Sequence, residues 1–296
     1  MVFVIEVFLR IFLTERSSGM NMGILNKKFS KKYYATNKEG YRDVEYFKKN
    51  TEKDFIIFLG DSFTFGSGVA QDKIFPSIIL KKNDKYEILN LGVPGTNTLD
   101  HYNLYKKNIK KVKDSNIDFL IYQYFVNDID YLIKKRPKFS KFETFLVNKM
   151  KKSYLVDYIY TPFLLKKFGK NYMDEIFKSY ENVNFEIHLN DINKIFKKSH
   201  ENNIKVVMLP FPFLNNKKAL IFSERYINKL EDFFKTNCNN GDAYLRINSI
   251  VMTISEDKWT VNKFDAHPSE TLHSIISEKI LMSLEKNKDD SIIYCN

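Results

Sequence analysis

A serine that directly follows a short apolar run is the first feature of the sequence that could support chemistry. Residues 55–59 are all apolar, and Gly60, Asp61 and Ser62 follow at once. Such a run is typical of a buried strand, and Ser62 would then lie at the carboxyl edge of a sheet, where open α/β sheets bind ligands. This stretch alone leaves two interpretations open: Ser62 caps the next helix, or it is a nucleophile.

An aspartate and a histidine near the end of the chain could activate this serine. Asp265 and His267 lie two residues apart in a predicted loop. A histidine can take a serine's proton near neutral pH, and a carboxylate can hold the imidazole in the correct tautomer. We therefore predict Ser62 as the nucleophile, His267 as the base and Asp265 as the orienting acid. Three other histidines fall in predicted helices and are expected at the surface: His101, His188 and His200.

Donors for a developing oxyanion are available in two further stretches. Gly95 lies in a glycine-rich break after the apolar run 86–91, and Asn127 follows the run 118–125. The charge on a tetrahedral intermediate needs preorganised donors, each worth about 3–4 kcal/mol. We predict that the backbone N–H groups of Ser62 and Gly95 and the side-chain amide of Asn127 supply them. Glycine and asparagine are also common turn residues, so a purely structural role stays open.

The elements that must bring these residues together alternate along the chain. Helical patterns separate five apolar runs, which predict strands near 55–59, 86–91, 118–125, 205–210 and 243–247. This alternation predicts a three-layer α/β/α sandwich with a five-stranded, mainly parallel sheet, whose carboxyl ends share one edge. Residues 131–183 are too long for a simple crossover, and we interpret them as an insertion that could cap the cleft. We expect one domain over residues 21–296.

Residues 1–20 form an apolar N-terminal segment ahead of this domain. The run 1–13 is shorter than the roughly 20 apolar residues of a spanning helix, and it contains Glu6 and Arg10. On a helix these two side chains would pair on one face and leave an apolar stripe on the other. The segment could pack on the domain, lie at a membrane interface, or be the end of a longer anchor.

Composition excludes several other classes of protein. The chain is 44% hydrophobic and 15% aromatic, which is typical of a globular protein. Its net charge of +11 comes from scattered lysines, so we expect no specific nucleic-acid binding. Cys238 and Cys295 match no metal spacing, and two cysteines are too few for a disulfide framework. We expect no metal and no cofactor. Thr64 stands where the nucleophile elbow of α/β-hydrolases needs a glycine.

Four blocks of sequence together resemble the SGNH (GDSL-type) hydrolases, a family of esterases, lipases and acyl-modifying enzymes. They occur in the family's order and comprise Gly60-Asp61-Ser62, residues 90–95, Val126-Asn127-Asp128 and residues 265–268. The resemblance implies a flavodoxin-like fold, the triad and the oxyanion donors named above. Two features depart from the family's usual pattern. Asp265 and His267 are two residues apart where three is common, and Phe125 stands where the family often has glycine, so we expect a narrower cleft floor.

The resemblance implies an activity and its alternatives. The expected reaction is hydrolysis of an acyl or acetyl ester, with a small-molecule, carbohydrate or lipid ester as substrate. One alternative is an O-acyltransferase that uses the same site on a glycan, and another is a non-catalytic binding protein with this fold. The longer first block looks like a bacterial branch whose members often carry an N-terminal membrane helix. We therefore expect membrane association through residues 1–13, and a membrane-associated or extracytoplasmic location over a cytoplasmic one. We make no prediction about the oligomeric state.

Overall fold

A mixed sheet of six strands lies at the centre of the described chain. The computed structural model describes residues 1–13, 15–18, 22–45, 49–50, 52–112, 115–133, 138–181 and 183–295. The strands of this sheet are β1 (Asp54–Gly60), β2 (Tyr86–Gly92), β3 (Ile117–Phe125), β4 (Lys205–Phe211), β5 (Ala243–Leu245) and β8 (Ile292–Tyr294). Their spatial order is β2–β1–β3–β4–β5–β8. A separate hairpin consists of β6 (Thr260–Asn262) and β7 (Asp265–Pro268).

The first five strands are parallel, as the sequence predicts, and the sixth is an addition. Strand β8 pairs antiparallel with β5 at the edge of the sheet. The predicted strand count of five is therefore one short within the described residues, because three residues near the chain end carry too little pattern to stand out. Strand β5 also ends two residues earlier than expected, since Ile247 begins a helix.

Helices cover both faces of the sheet, which confirms the three-layer α/β/α architecture. One face packs against α4 (Phe75–Lys82), α10 (Ile247–Met252) and α11 (Glu270–Leu284). The other packs against α5 (Thr98–Asn108), α8 (Val183–His200) and α9 (Lys217–Asn237). Strand β1 shows why its sequence does not alternate. Phe55, Ile57 and Leu59 enter one core, and Ile56 and Phe58 enter the other, so all five must be apolar.

Two glycines at the ends of β1 and β2 allow neighbouring residues to pack closely against these strand ends. Gly60 and Gly92 are partners in the parallel register. A Cβ atom on Gly60 would overlap the side chains of Gln123 and Thr64, and one on Gly92 would overlap the backbone of Phe65. Both positions therefore need glycine because of the close approach around the serine turn.

The remaining helices lie outside the central sandwich. They are α1 (Val2–Phe12), α2 (Gly23–Tyr33), α3 (Ser62–Phe65), α6 (Lys141–Met150) and α7 (Tyr154–Tyr180). Helices α6 and α7 belong to the expected insertion at 131–183, and α7 packs against α1, α2 and α6. The expected boundary at residues 20 and 21 falls outside the described residues, so the division into segment and domain stays a prediction.

The two cysteines form a single disulfide, a pairing that the sequence does not predict. Cys238 follows α9 and Cys295 follows β8, and their Cα atoms are 6.0 Å apart. The bond fastens the edge strand to the end of α9. Nothing local in the sequence indicates this pairing, because the two residues are 57 positions apart and meet only when β8 joins the sheet.

The histidines expected at the surface are not there. His101 and His188 are fully buried. His101 Nε2 lies 3.0 Å from Thr96 Oγ1, and His188 Nε2 lies 3.0 Å from the Tyr124 hydroxyl oxygen. His200 is part-buried and lies 2.8 Å from Asp242. The expectation failed because neighbouring lysines and asparagines in the sequence point to other faces of the same helix.

Candidate active site

The structure brings the three predicted triad residues into one hydrogen-bonded chain. His267 Nε2 lies 2.8 Å from Ser62 Oγ, and His267 Nδ1 is hydrogen-bonded to Asp265 Oδ1. When Nδ1–H donates to Asp265, Nε2 is left to accept the proton of the serine hydroxyl. This is the order of contacts that an activated serine requires.

The serine is held by a short turn at the end of β1. Asp61 caps α3, and its Oδ1 accepts a hydrogen bond of 2.9 Å from the Phe63 N–H. Ser62 is the first residue of this one-turn helix, which ends at Gly66 with a φ of +75°. The turn therefore places the Ser62 hydroxyl beyond the carboxyl edge of the sheet, and Asp61 has the structural role of a cap.

Asp265 and His267, the predicted acid and base, lie on strand β7, whereas the sequence predicts a loop. Alternate residues of a strand point to the same side, so a separation of two places Asp265 and His267 together. The Asp265 Oδ1 atom also accepts a hydrogen bond of 3.1 Å from the backbone N–H of His267. The separation of two residues between Asp265 and His267 differs from the three that are common in the family that the sequence resembles. This shorter separation suits a short strand.

Electrostatics favour a charged pair between these two residues. Burial disfavours the imidazolium, but the charge of Asp265 and its hydrogen bond outweigh burial, so the pKa of His267 lies above its ordinary 6.5. Burial likewise opposes ionisation of Asp265, yet the contacts with His267 keep the pKa of Asp265 below its ordinary 3.8. Burial raises the pKa of Asp61 to about 6, although the Phe63 N–H and the charge of His267 favour its carboxylate form.

A serine of the N-terminal segment completes the contacts of the acid. Ser17 is buried, and its hydroxyl donates to Asp265 Oδ2, the oxygen that His267 does not use. Gly68, with a φ of +83°, makes room for this contact, because a Cβ there would crowd Ser17, Val261 and Asp265. No signal in the sequence points to Ser17, which lies 248 residues from its partner.

The predicted oxyanion donors lie on the same edge of the sheet as Ser62. The N–H groups of Ser62 and Gly95 donate to no described residue. The N–H of Gly92, the other glycine of its stretch, is already occupied by Asn90 Oδ1 at 3.0 Å. Asn127 is the second residue after β3 and lines a cavity beside the triad. The groups are available for the role, which stays a prediction.

Gln123 is a supporting residue that the sequence analysis did not identify. From β3, its Oε1 accepts from the Asp61 N–H at 3.1 Å, the Thr64 N–H at 3.2 Å and Thr64 Oγ1 at 3.0 Å. One buried amide oxygen therefore binds both sides of the serine turn. A polar residue inside a predicted buried strand was the available signal, because such a group must find partners.

Arg42 supports the same turn from its far end. Its Nη1 donates to the carbonyl oxygens of Phe65 (3.1 Å), Gly66 (2.7 Å) and Val69 (3.0 Å). Its guanidinium lies over the Tyr34 ring, 4.5 Å from the centroid. Burial lowers the pKa of Arg42 to about 10. The buried cation thus satisfies the carbonyls that the end of α3 leaves unpaired.

A cavity of about 700 Å³ lies beside the triad, between the sheet edge and α7. Asn127 and Asp265 line it at the sheet edge, and Leu165, Tyr172 and Met173 line it from α7. The predicted insertion thus supplies part of the cavity wall. Within the described residues, no group of three or more His, Cys, Asp or Glu side chains is placed to hold a metal ion.

Sequence comparisons find no match to a family model or to a curated protein. Several solved structures resemble the chain trace over 79% of its length. TesA shares 10% identity with a TM-score of 0.48 over 99% of its chain. A GDSL-like lipase from Bacteroides thetaiotaomicron shares 13% with a TM-score of 0.47 over 88%. Axe2, an acetylxylan esterase from Geobacillus stearothermophilus, shares 10% with a TM-score of 0.46 over 94%. At such identities the function of this chain has to be inferred from its own site.

Proposed function

We propose that this protein is a serine hydrolase of the SGNH type that cleaves a carboxylic ester. The observation that carries the proposal is the hydrogen-bonded chain from Ser62 through His267 to Asp265. The four sequence blocks that resemble the SGNH hydrolases all lie at this edge of the fold. The substrate class proposed from that resemblance is an acyl ester of a carbohydrate or lipid.

The proposed reaction has two steps, which these contacts support. Ser62 Oγ attacks the ester carbonyl carbon while His267 Nε2 takes the hydroxyl proton. The resulting oxyanion accepts hydrogen bonds from the N–H groups of Ser62 and Gly95 and from the Asn127 amide. The intermediate then expels the alcohol, which receives the proton from His267, and an acyl-serine remains. A water molecule repeats the attack with His267 as base, and the acid product leaves Ser62 restored.

A pair of serine variants tests this proposal. Ser62→Ala should reduce turnover of p-nitrophenyl butyrate by more than about a thousandfold, because the nucleophile is lost. Ser67→Ala is the matched control, since Ser67 lies in the same turn and its buried hydroxyl has no partner among the described residues. A fluorophosphonate probe should label the wild type and the control but not Ser62→Ala. Undiminished turnover by Ser62→Ala would refute the proposal.

We also propose that α1 associates with a membrane surface. Its polar side faces the protein, where Glu6 accepts from the N–H groups of Tyr154 (3.2 Å) and Leu155 (3.0 Å), and Arg10 donates to Lys152 O (3.0 Å). Its apolar side is open, with six side chains more than half exposed: Val2, Phe3, Val4, Phe8, Ile11 and Phe12. The described part of the chain contains no helix that combines the length and apolar character needed to cross a bilayer.

Vesicle flotation tests the membrane proposal. The wild type should float with phospholipid vesicles, and the double variant Phe8→Asp/Ile11→Asp should remain in the dense fraction, because charges on an inserted face oppose burial in lipid. Leu80→Asp is the control, since Leu80 is an exposed apolar residue on α4. Equal flotation of all three proteins would exclude α1 as the attachment.

The disulfide supports a location in an oxidising compartment.

A further inference from the structure

The cavity beside the triad has the size and lining of a binding site for a hydrocarbon chain. Its volume of about 700 Å³ falls within the range of small-molecule sites, roughly 300–1,000 Å³. We propose that it binds the acyl group of the ester, and that the enzyme prefers medium or long acyl chains over acetyl. The proposal rests on the serine-hydrolase function and specifies its substrate.

Apolar side chains from three parts of the fold form the wall. Phe125 and Phe213 come from the sheet edge, Leu165 and Met173 from α7, and Phe264 precedes the acid. Eight polar or charged residues also line the cavity: Asn127, Asp130, Lys166, Asn215, Thr260, Asn262, Lys263 and Asp265. The two lysines are exposed, so their ammonium groups can remain in water. Apolar atoms still form the larger part of the cavity surface that an acyl chain would meet.

An apolar floor connects this cavity to the catalytic base. Phe125 stacks on Phe63 with 4.3 Å between ring centroids, and Phe63 contacts the His267 ring edge-on at 5.4 Å. Phe125 is the residue that stands where the resembled family often has glycine. Its ring lines the cavity and also contacts Phe213, so it contributes an aromatic wall at this position.

The acyl group suits this cavity better than the alcohol does. The acyl group stays attached to Ser62 through both steps, whereas the alcohol leaves and water must take its place. An apolar cavity on the alcohol side would hinder that water. The wall also contains Asn127, the predicted side-chain donor to the carbonyl oxygen, which is one bond from the acyl carbon.

Gly169 leaves part of the cavity unfilled. It lies inside α7 and lines the cavity, and a Cβ placed on it would meet no atom within 4 Å. Glycine inside a helix is less favourable than alanine, so its presence has no advantage for α7 itself. A larger side chain at this position would project into open space that the acyl chain is proposed to occupy.

Two substitutions at Gly169 test the inference. The measured quantity is kcat/KM for p-nitrophenyl acetate, butyrate, octanoate and laurate. The wild type should favour octanoate over acetate at least about a hundredfold, since a fully buried methylene is worth about fourfold. Gly169→Phe should remove most of this preference, because kcat/KM should fall far more for octanoate and laurate than for acetate. Gly169→Ala should keep the wild-type profile, and thermal unfolding should show both variants folded.

Several results would overturn the assignment without touching the serine-hydrolase proposal. One is a flat chain-length profile in the wild type, and another is an unchanged profile in Gly169→Phe. A third is a kcat/KM that rises with the length of the alcohol in a series of alkyl acetates. That result would place the alcohol, and not the acyl group, in the cavity.

A binding measurement separates failure of this inference from failure of the proposed function. A fluorescent fatty acid should bind the inactive Ser62→Ala protein, and Gly169→Phe added to that background should weaken binding at least about tenfold. This result together with an absence of any ester hydrolysis by the wild type would refute the catalytic proposal alone. No saturable binding to Ser62→Ala would refute the cavity assignment alone.

Discussion

Replacing Asp265 by asparagine should change both the rate and the pH dependence of the enzyme. In the wild type the charge of Asp265 outweighs burial and holds the pKa of His267 above 6.5. The base acts in its neutral form, so kcat/KM should rise with pH around a midpoint above 6.5. Asparagine keeps the shape of the side chain but removes its charge, and burial of the imidazole remains.

Two other histidines show how far the midpoint can fall. Burial lowers the pKa of His101 and of His273 to about 3. Asp128 Oδ2 lies 3.7 Å from His101 Nδ1, beyond hydrogen-bond distance, and His273 Nδ1 accepts a hydrogen bond from the Phe75 N–H. The interval from 6.5 to 3 corresponds to about 5 kcal/mol at 1.36 kcal/mol per pH unit. Asp61 still raises the pKa of His267, so the midpoint in Asp265→Asn should lie between these two values.

The assay is kcat/KM on a soluble p-nitrophenyl ester between pH 4 and pH 9. Asp265→Asn should lower the plateau by about 10³–10⁴-fold, because the imidazole loses its correct tautomer. The midpoint of the residual activity should fall below 6.5, since the imidazolium loses its stabilising charge. Asp257→Asn, at an exposed site, is the control and should match the wild type. A midpoint that stays above 6.5 in Asp265→Asn would show that another group sets the pKa of His267.

Three further predictions concern the supports of the site and the fold. Gln123→Leu should lower the free energy of unfolding by at least about 2–3 kcal/mol in a urea titration, because buried donors of the serine turn lose their acceptor; an unchanged midpoint would exclude this support. Gly92→Ala should reduce kcat more than about a hundredfold, since its Cβ displaces the turn. Gly95→Ala, at a φ of +79° with open space, should cost only about 1–2 kcal/mol of local strain and keep its N–H; equal losses in the two variants would contradict the packing argument. Reduction of the Cys238–Cys295 disulfide should lower the thermal midpoint by an amount equivalent to about 2–4 kcal/mol, while the variant with both cysteines replaced by serine should not respond to reductant.

The central sheet could be predicted because its physical signal is local. Each parallel strand is buried on both faces, so each appears as a continuous apolar run ended by glycine or a polar residue. The carboxyl ends of parallel strands share an edge, so Ser62 and Asn127 could be placed together before any distance was known. Asp265 and His267 were predicted in a loop, and the strand that pairs them was missed because it has only four residues.

The supporting contacts were not predictable in the same way. Gln123 sits inside an apolar strand, and only the folded chain shows that its oxygen reaches the serine turn. The partners of Cys238 and of Ser17 are 57 and 248 residues away, and no periodicity in the sequence encodes such distances. The orientation of α1 was also left open, because an apolar stripe fits packing and exposure equally well until the contacts of Glu6 are known.

The contact between Ser17 and Asp265 changes what a shortened chain would measure. A chain that begins after residue 18 would lose α1 and the Ser17 hydroxyl together, so a loss of activity would have two causes at once. Ser17→Ala in the full chain separates them: turnover of a soluble ester should fall, whereas the α1 double variant should leave it unchanged. A protease that cut between Ser17 and α2 would therefore act on the proposed chemistry as well as on the proposed membrane attachment.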